Sequence, residues 1–381
     1  MSQATRDKDS ATNQVLYMAM ELSQRTWKLG FSVGNRKCRE VNVPAGNAAE
    51  LSEAIRKARA KLALASDAPV RSCYEAGRDG LWIHRLLDKL RVDNVIVDPA
   101  SIEVNRRKRR AKTDRLDVRK LLKRLVAYHE HDPQAWSVVR VPSVEHEDDR
   151  RIHRELERLT KERTGHRTRI QALLATVGVE RRPTKKFGEW LEVATQWDGT
   201  PLPPQLAGEL RREHARLELV EAQMAELRRT IEERIKAADN DSDAKSARLT
   251  KLVAIGPLGG WVLVKELFAW RAFRNRREVG AVAGLTPTPY DSGGGDREQG
   301  ISKAGNRRVR VLMTQLAWSW LRYQPDSQLS QWFKEKWGGG SKRSRRVGII
   351  ALARRLLIAL WRWVDQGVTP EGARTRALQA G

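Results

Sequence analysis

The sequence predicts an α/β domain built on a mixed sheet, followed by a long helical segment and a mostly α-helical C-terminal domain. Three observations carry that expectation. Short apolar runs alternate with helical spacings over residues 14–140. From Val144 onward, apolar positions recur at intervals of three and four on a densely charged background. Past about Leu249 the pattern stays helical and becomes rich in Arg and Trp.

Residues 1–13 are polar and aperiodic and read as a loose tail. Val15–Leu22 (VLYMAMEL), WKLGFSV and REVNV, the last two parted by the turn-like GNRK, read as three strands. A helix over Ala48–Leu64 leads to strand VRSCYEA, helix GLWIHRLLDKL, the buried strand NVIVDP, and a helix over Thr113–Tyr128 with Thr113 as its N-cap. The order is β-β-β-α-β-α-β-α. In the connector, 141–245, Ile152, Leu156, Leu159, Ile170 and Leu173 mark one amphipathic helix. Leu217, Val220, Met224, Leu227 and Ile231 mark a second, with DGTPLPP making the reversal. This predicts an antiparallel helical hairpin, either packed on its own domain or joined to another chain as a coiled coil. Residues 237–247 (AADNDSDAKSA) read as a polar break, 246–370 as the last domain, and 371–381 as a tail.

The 381 residues carry 72 Lys and Arg against 47 Asp and Glu, a net charge of +25. Such an excess calls for a polyanion, and nucleic acid is the natural partner. No run of about 20 apolar residues suits a membrane span, and no charged-then-apolar leader stands at the N-terminus, so a membrane role is not expected. Cys38 and Cys73 are too few for a disulfide framework and lack the spacing of a zinc site, so a reducing, cytoplasmic location is expected. There is no GxxxxGK[ST] loop to suggest ATP use, and no HExxH.

Four carboxylates could carry chemistry. Glu21 ends the first strand, Glu75 ends the fourth, and Asp114 and Asp117, three apart, share the first turns of a helix. Hard divalent cations take several oxygen ligands, and sheet-end carboxylates facing a helix can supply them. Equally, the two Asp can serve the helix macrodipole alone. Asp98, also at a strand end, is a rival ligand. Six basic residues in seven precede Asp114: Arg106, Arg107, Lys108, Arg109, Arg110 and Lys112. So much like charge beside a carboxylate pair suggests a phosphate backbone brought to metal.

In the last domain IGPLGG reads as a Gly-rich turn between helices, a phosphate cradle of helix-hairpin-helix type or a plain tight turn. GLTPTPYDSGGGDREQGISKAGNRRVRVL reads as a loop, with three Gly after Ser292, then a basic helix N-capped by Ser302. Glycines beside a serine let a bulky phosphate approach the hydroxyl, though they also make an ordinary flexible loop. Lys303, Asn306, Arg307, Arg308 and Arg310 are candidate phosphate contacts.

Taken in order, YMAMELSQRTWKLGF, SCYEAGRDG, KTDRLDVRKLL, IGPLGG and GLTPTPYDSGGG…GISKAGNRRVR resemble the IS110-type transposases, whose relatives include the Piv-type DNA invertases. The resemblance spans nearly the whole chain. It implies a RuvC-like, RNase H-type first domain, a coiled-coil connector and a C-terminal transposase domain. It further implies that Glu21, Glu75, Asp114 and Asp117 hold Mg²⁺ or Mn²⁺, and that Ser292 attacks the DNA phosphate to form a covalent link. The family's first acidic position is usually Asp, in a GIDVS-like strand. Glu21 moves the carboxylate outward by about one bond length. Because the serine and the carboxylates lie on separate domains, the site can be composite, completed across a dimer or tetramer or within one chain. The resemblance also implies a structured guide RNA encoded by the element, which delegates sequence reading to base pairing. Three other readings fit fewer of the motifs: a RuvC-like nuclease or junction resolvase whose carboxylates activate water, a site-specific DNA invertase, and a non-catalytic architectural protein that binds DNA or RNA.

Overall fold

The structure is a computed structural model that describes residues 14–34, 38–77, 80–102, 114–292 and 295–376, with backbone alone at 100, 114–117, 288–292 and 295–299. It divides into two compact units between Val141 and Pro142.

The first unit is a five-stranded mixed sheet. β1 (Leu16–Leu22), β2 (Thr26–Ser32) and β3 (Arg39–Pro44) form an antiparallel meander, and β4 (Val70–Glu75) and β5 (Val92–Val97) add in parallel on the other side of β1. The sheet order is β3-β2-β1-β4-β5. β1 lies in the middle because its residues are apolar at odd and even positions alike, as a strand covered on both faces requires. Leu16, Met18 and Met20 face α1 (Ala48–Lys61) and α2 (Trp82–Lys89). Tyr17 and Ala19 face α3 (Asp114–Glu130), together with Cys73 and Val97. The expected element order is present in full. Thr113 and Arg106–Lys112 lie outside the described residues.

Gly30 in β2 lets α3 lie close on the sheet: a Cβ there would overlap Val118 Cγ1 and stand 3.2 Å from Cys38 Sγ. Glycine weakens a strand by roughly 0.5–1 kcal/mol relative to alanine, so Gly30→Ala would help were the site open. Here overpacking, worth about 1–3 kcal/mol, outweighs that gain. A lower denaturant midpoint for Gly30→Ala is expected, and an unchanged or higher midpoint would show that α3 is not seated on this glycine.

The second unit starts with α4 (Val144–Ala175), N-capped by Ser143, and α6 (Pro204–Ala237). Asp149–Arg234, His166–Glu213 and Arg169–Glu209 pair in opposite chain order, so the two helices are antiparallel. Leu156, Leu159, Val220, Met224 and Ile231 form the seam near its open end. Its reversal is larger than the sequence indicates. DGTPLPP is only the last part of a cap over 176–203 that includes α5 (Phe187–Leu191) and packs Phe187, Leu191 and Leu202 against Ile170 and Leu210.

The rest is α7 (Asp241–Thr250), α8 (Pro257–Leu263), a π-helical turn (Val264–Phe268), α9 (Arg276–Val282), strands β6 (Pro287–Ser292) and β7 (Gly295–Ile301), α10 (Arg307–Tyr323), α11 (Gln328–Trp337) and α12 (Lys342–Gln366). Leu352, Leu356, Leu357 and Leu360 of α12 run through its core. Several expectations are corrected. The polar break is mostly helix α7, N-capped by Asn240, and its Ser242, Asp243 and Ser246 are buried. IGPLGG is not a turn: Gly256 caps α8, and the last two glycines lie inside it. Gly260 allows a close helix crossing, since a Cβ there would stand 3.2 Å from Ser246 O. The segment around Ser292 is a two-stranded hairpin rather than a loop, and α10 is capped by Asn306, not Ser302. No helix among the described residues is long and apolar enough to cross a membrane.

Candidate active site

β1 and β4 are parallel and in register through Met20 and Tyr74, which brings Glu21 level with Glu75 at the strands' C-terminal ends. Paired positions on adjacent strands share a face and lie about 5 Å apart. Ala19 and Cys73 face α3, so Glu21 and Glu75, two residues on, point to the same face. Glu21 is half-buried and Glu75 exposed. The negative potential of this edge is felt inside the sheet: burial pushes the Cys73 thiol well up, and the Glu75 charge adds to that.

α3 runs back along β1. Its C-terminal His129 packs on Tyr17 at the start of the strand, with ring centroids 6.1 Å apart, and Val118 near its other end covers Gly30. The helix therefore begins, at Asp114–Asp117, toward the Glu21 and Glu75 end of the sheet. The side chains of Asp114 and Asp117 lie outside the described residues. Among the described residues no group of three His, Cys, Asp or Glu is placed to hold a metal ion. Asp98 belongs to a different environment: Val97 takes the α3 face, so the alternation turns Asp98 away, and its backbone joins Ser137 and Ser101 (2.9 and 2.7 Å).

In the second unit Ser292 is the last residue of β6, paired with Gly295 of β7. The hairpin is held at its other end. Ser302 N donates to Thr286 O (2.9 Å) and Asn306 N to Val282 O (2.7 Å). Gly305, at φ +120°, has no room for a Cβ against Val282 O. Arg310 Nη1 donates to Ala283 O and Lys303 O at 3.1 and 3.0 Å, which fastens both flanks of the hairpin to α10.

The candidate phosphate contacts thus divide. Asn306 Oδ1 accepts from Arg308 N and Val309 N, while its Nδ2 donates to Glu266 Oε2 at 2.9 Å. Arg308 Nε donates to Glu157 Oε2 at 2.6 Å, and Arg310 holds the hairpin as described. Lys303 and Arg307 are exposed.

The second unit also holds a buried ionic network centred on Lys265. Lys265 Nζ donates to Asp149 Oδ2 (2.7 Å), Asp243 Oδ1 (2.6 Å) and Ser242 Oγ (2.7 Å), using all three ammonium protons. Arg234 completes the ring on Asp149 and Asp243, and both cations lie against Trp261. Burial alone would raise the Asp149 carboxyl, but hydrogen bonds from Arg234 and Lys265 hold it below its usual value.

The adjacent Glu266, also buried, gathers His153, Arg154 and Asn306. Burial opposes its ionisation, yet the bonds from His153 and Arg154 hold it well below the carboxylate range. Burial lowers His153 more than Glu266 raises it. Its Nδ1 is buried with no hydrogen-bond partner among the described residues, which fits a neutral ring donating through Nε2. The sequence signal was a Lys-Glu pair set inside the apolar run WVLVKELF.

The protein thus joins an α/β unit that carries two strand-end carboxylates on one face to a mostly helical unit. Comparison with known proteins gives the family. The model of the IS116/IS110/IS902 transposase family matches residues 246–331. The protein y4rJ of Sinorhizobium fredii, named as a candidate transposase, is 40% identical over 94% of this chain and 94% of its own length. A Pseudomonas aeruginosa protein named as a candidate family 20 transposase is 29% identical, covering 58% of this chain and 65% of that one. The transposase for insertion sequence element IS1328 of Yersinia enterocolitica is 27% identical, covering 57% and 62%. The chain belongs to the IS110 transposase family.

Proposed function

We propose that this protein is the transposase of an insertion sequence, and that it cuts and rejoins DNA with Ser292 as nucleophile and Glu21, Glu75, Asp114 and Asp117 as a metal-binding carboxylate set. The observation that carries the reading is the shared edge: two strand-end Glu in register on one face, with the start of α3 directed toward them. The strand order β3-β2-β1-β4-β5, with β1 antiparallel to β2 and parallel to β4, supports an RNase H-like, RuvC-like domain. The long antiparallel pair α4 and α6 supports a coiled-coil connector.

The donor set is all carboxylate oxygen, which suits Mg²⁺ or Mn²⁺. Such an ion, when bound, supplies positive charge against the scissile phosphate and its leaving oxygen. Ser292 Oγ attacks phosphorus as its proton departs to a base or water, the phosphorus–oxygen bond to one strand breaks, and that strand leaves with a protonated hydroxyl. One phosphodiester replaces another, so the bond energy is kept. Attack by a second strand's hydroxyl then restores the serine and joins the DNA without ATP. Ser292 and the carboxylates stand on separate units, which favours a site completed between copies in a homo-oligomer. A structured RNA from the element, paired with target and donor DNA, accounts for a chain rich in phosphate-binding charge.

The test is strand transfer on the element's own ends, with its flanking transcript, for wild type, Ser292→Ala and Asp117→Ala. Loss in both variants with DNA binding retained is expected. Cutting that survives Ser292→Ala would point instead to a metal-dependent nuclease that uses water. Absence of any specific RNA from protein purified out of the element's host would count against the guide.

A further inference from the structure

On the second unit a cavity of about 1290 Å³ opens between α9, α11, α12 and the base of the β6–β7 hairpin. It exceeds the ~300–1,000 Å³ of small-molecule pockets. Seven cations line it, against one carboxylate, Glu371, among the described residues. Arg276, Arg277 and Lys303 stand on one side and Arg354, Arg355 and Arg362 on α12. Of the ten basic residues singled out from sequence, only Lys303 lies here.

Two details bear on what the groove holds. Arg354 Nε packs against Gly280, 3.0 Å from where a Cβ would stand, and is buried with no hydrogen-bond partner among the described residues. Arg355 lies over the Trp332 ring at 3.9 Å from its centroid. Between these cations the floor is apolar, formed by Val347, Ile350 and Ile358 on the same stripe of α12. Cations alternating with apolar and aromatic side chains suit a strand that offers phosphates and unstacked base faces together. A duplex keeps its base faces hidden and would leave that floor unused.

We propose that this groove seats one single strand of DNA leading toward the phosphate that Ser292 attacks. DNA is the occupant because Pro287, Gly300 and Ile301 of the Ser292 hairpin form part of the lining. In that respect the inference rests on the function proposed above. Arg355 and Arg362, seven apart on α12 and so about 10.5 Å apart along its axis, contact two phosphates of the same strand, and Trp332 carries a base.

The experiment is fluorescence anisotropy of a labelled 20-nucleotide mixed-sequence single-stranded DNA with the full-length protein over a salt series. Arg355→Ala/Arg362→Ala should bind at least about tenfold more weakly, with the log–log salt slope reduced by about 1.4, the value for two single-strand phosphate contacts. Trp332→Ala should bind about tenfold more weakly with the slope unchanged, as loss of stacking implies. Arg228→Ala/Arg229→Ala removes the same charge from exposed positions on α6 and should change little. Thermal melts confirm that each variant is folded. Binding within twofold of wild type for the α12 pair would overturn the proposal. So would equal loss in the α6 pair, or loss confined to RNA of the same sequence. Ser292→Ala should bind this DNA as wild type does, so failure of the groove and failure of the serine chemistry give different results.

Discussion

Lys265→Ala is expected to destabilise the second unit by about 3–5 kcal/mol, the range for removing one partner of a buried ion pair. The ammonium is fully enclosed and holds Asp149, Asp243 and Ser242. Its loss leaves Arg234 as the remaining partner of the two aspartates within the ring. An exposed pair such as Arg211–Glu192, screened by solvent, contributes far less. The pH dependence carries a sign of its own. Asp149 and Glu266 have depressed folded values, so their contribution is present above the ordinary carboxylate range and is lost as pH falls through the lower folded values. His153 is also depressed, so the fold favours its neutral form, and protonation penalises the fold as pH drops below its ordinary value. Wild-type stability should therefore be flat near neutrality and fall on acidification. In Lys265→Ala, Asp149 loses one of the two cations that hold its value down, so the gap to wild type should narrow with falling pH. Denaturant titrations across pH read both effects, and a gap independent of pH would remove this network as its cause.

Glu75→Gln and Glu21→Gln are each expected to lower DNA cleavage by at least about 100-fold, since even outer-shell changes at metal sites cost 10–100-fold. Gln keeps the shape of Glu and removes its charge, so the first unit should fold and DNA binding should persist. Glu21 is the more informative position, because the family usually carries Asp there. Asp98→Asn, on the other face, should leave cleavage within about twofold, as for ordinary surface changes. A loss at Asp98 equal to that at Glu75 would mean that the pleat does not sort these carboxylates. Cleavage by gel and metal-dependence titrations separate the cases.

The sheet and the long helical hairpin were legible because each announces itself locally. VLYMAMEL is apolar at every position that a doubly covered strand must bury, and the heptad-like Leu, Val and Met positions of α4 and α6 repeat for many turns. The ring around Lys265 was not legible in this way. DNDSDAKS is polar enough for a solvent-exposed break, and only tertiary pairing with a lysine more than 20 residues away makes its burial favourable. IGPLGG misled for a related reason: a glycine needed for a close helix crossing looks the same in sequence as one needed for a turn. The β6–β7 hairpin was hidden by Pro287 and Pro289, which a two-stranded ribbon with open edges tolerates and a central strand does not. Of the site itself, the paired strand-end Glu followed from alternation and register, whereas the role of Ser292 rests on the family to which the chain belongs.

The central claim is a serine nucleophile served by a carboxylate edge. Its most direct test is to incubate the protein with labelled element-end DNA, the element's transcript and Mg²⁺, denature it, trim the DNA with nuclease and map the adduct by mass spectrometry. The expected result is a nucleotide joined through phosphate to the peptide containing Ser292, absent from Ser292→Ala and strongly reduced in Glu75→Gln. Cleaved DNA without any adduct, or an adduct on another residue, would contradict it.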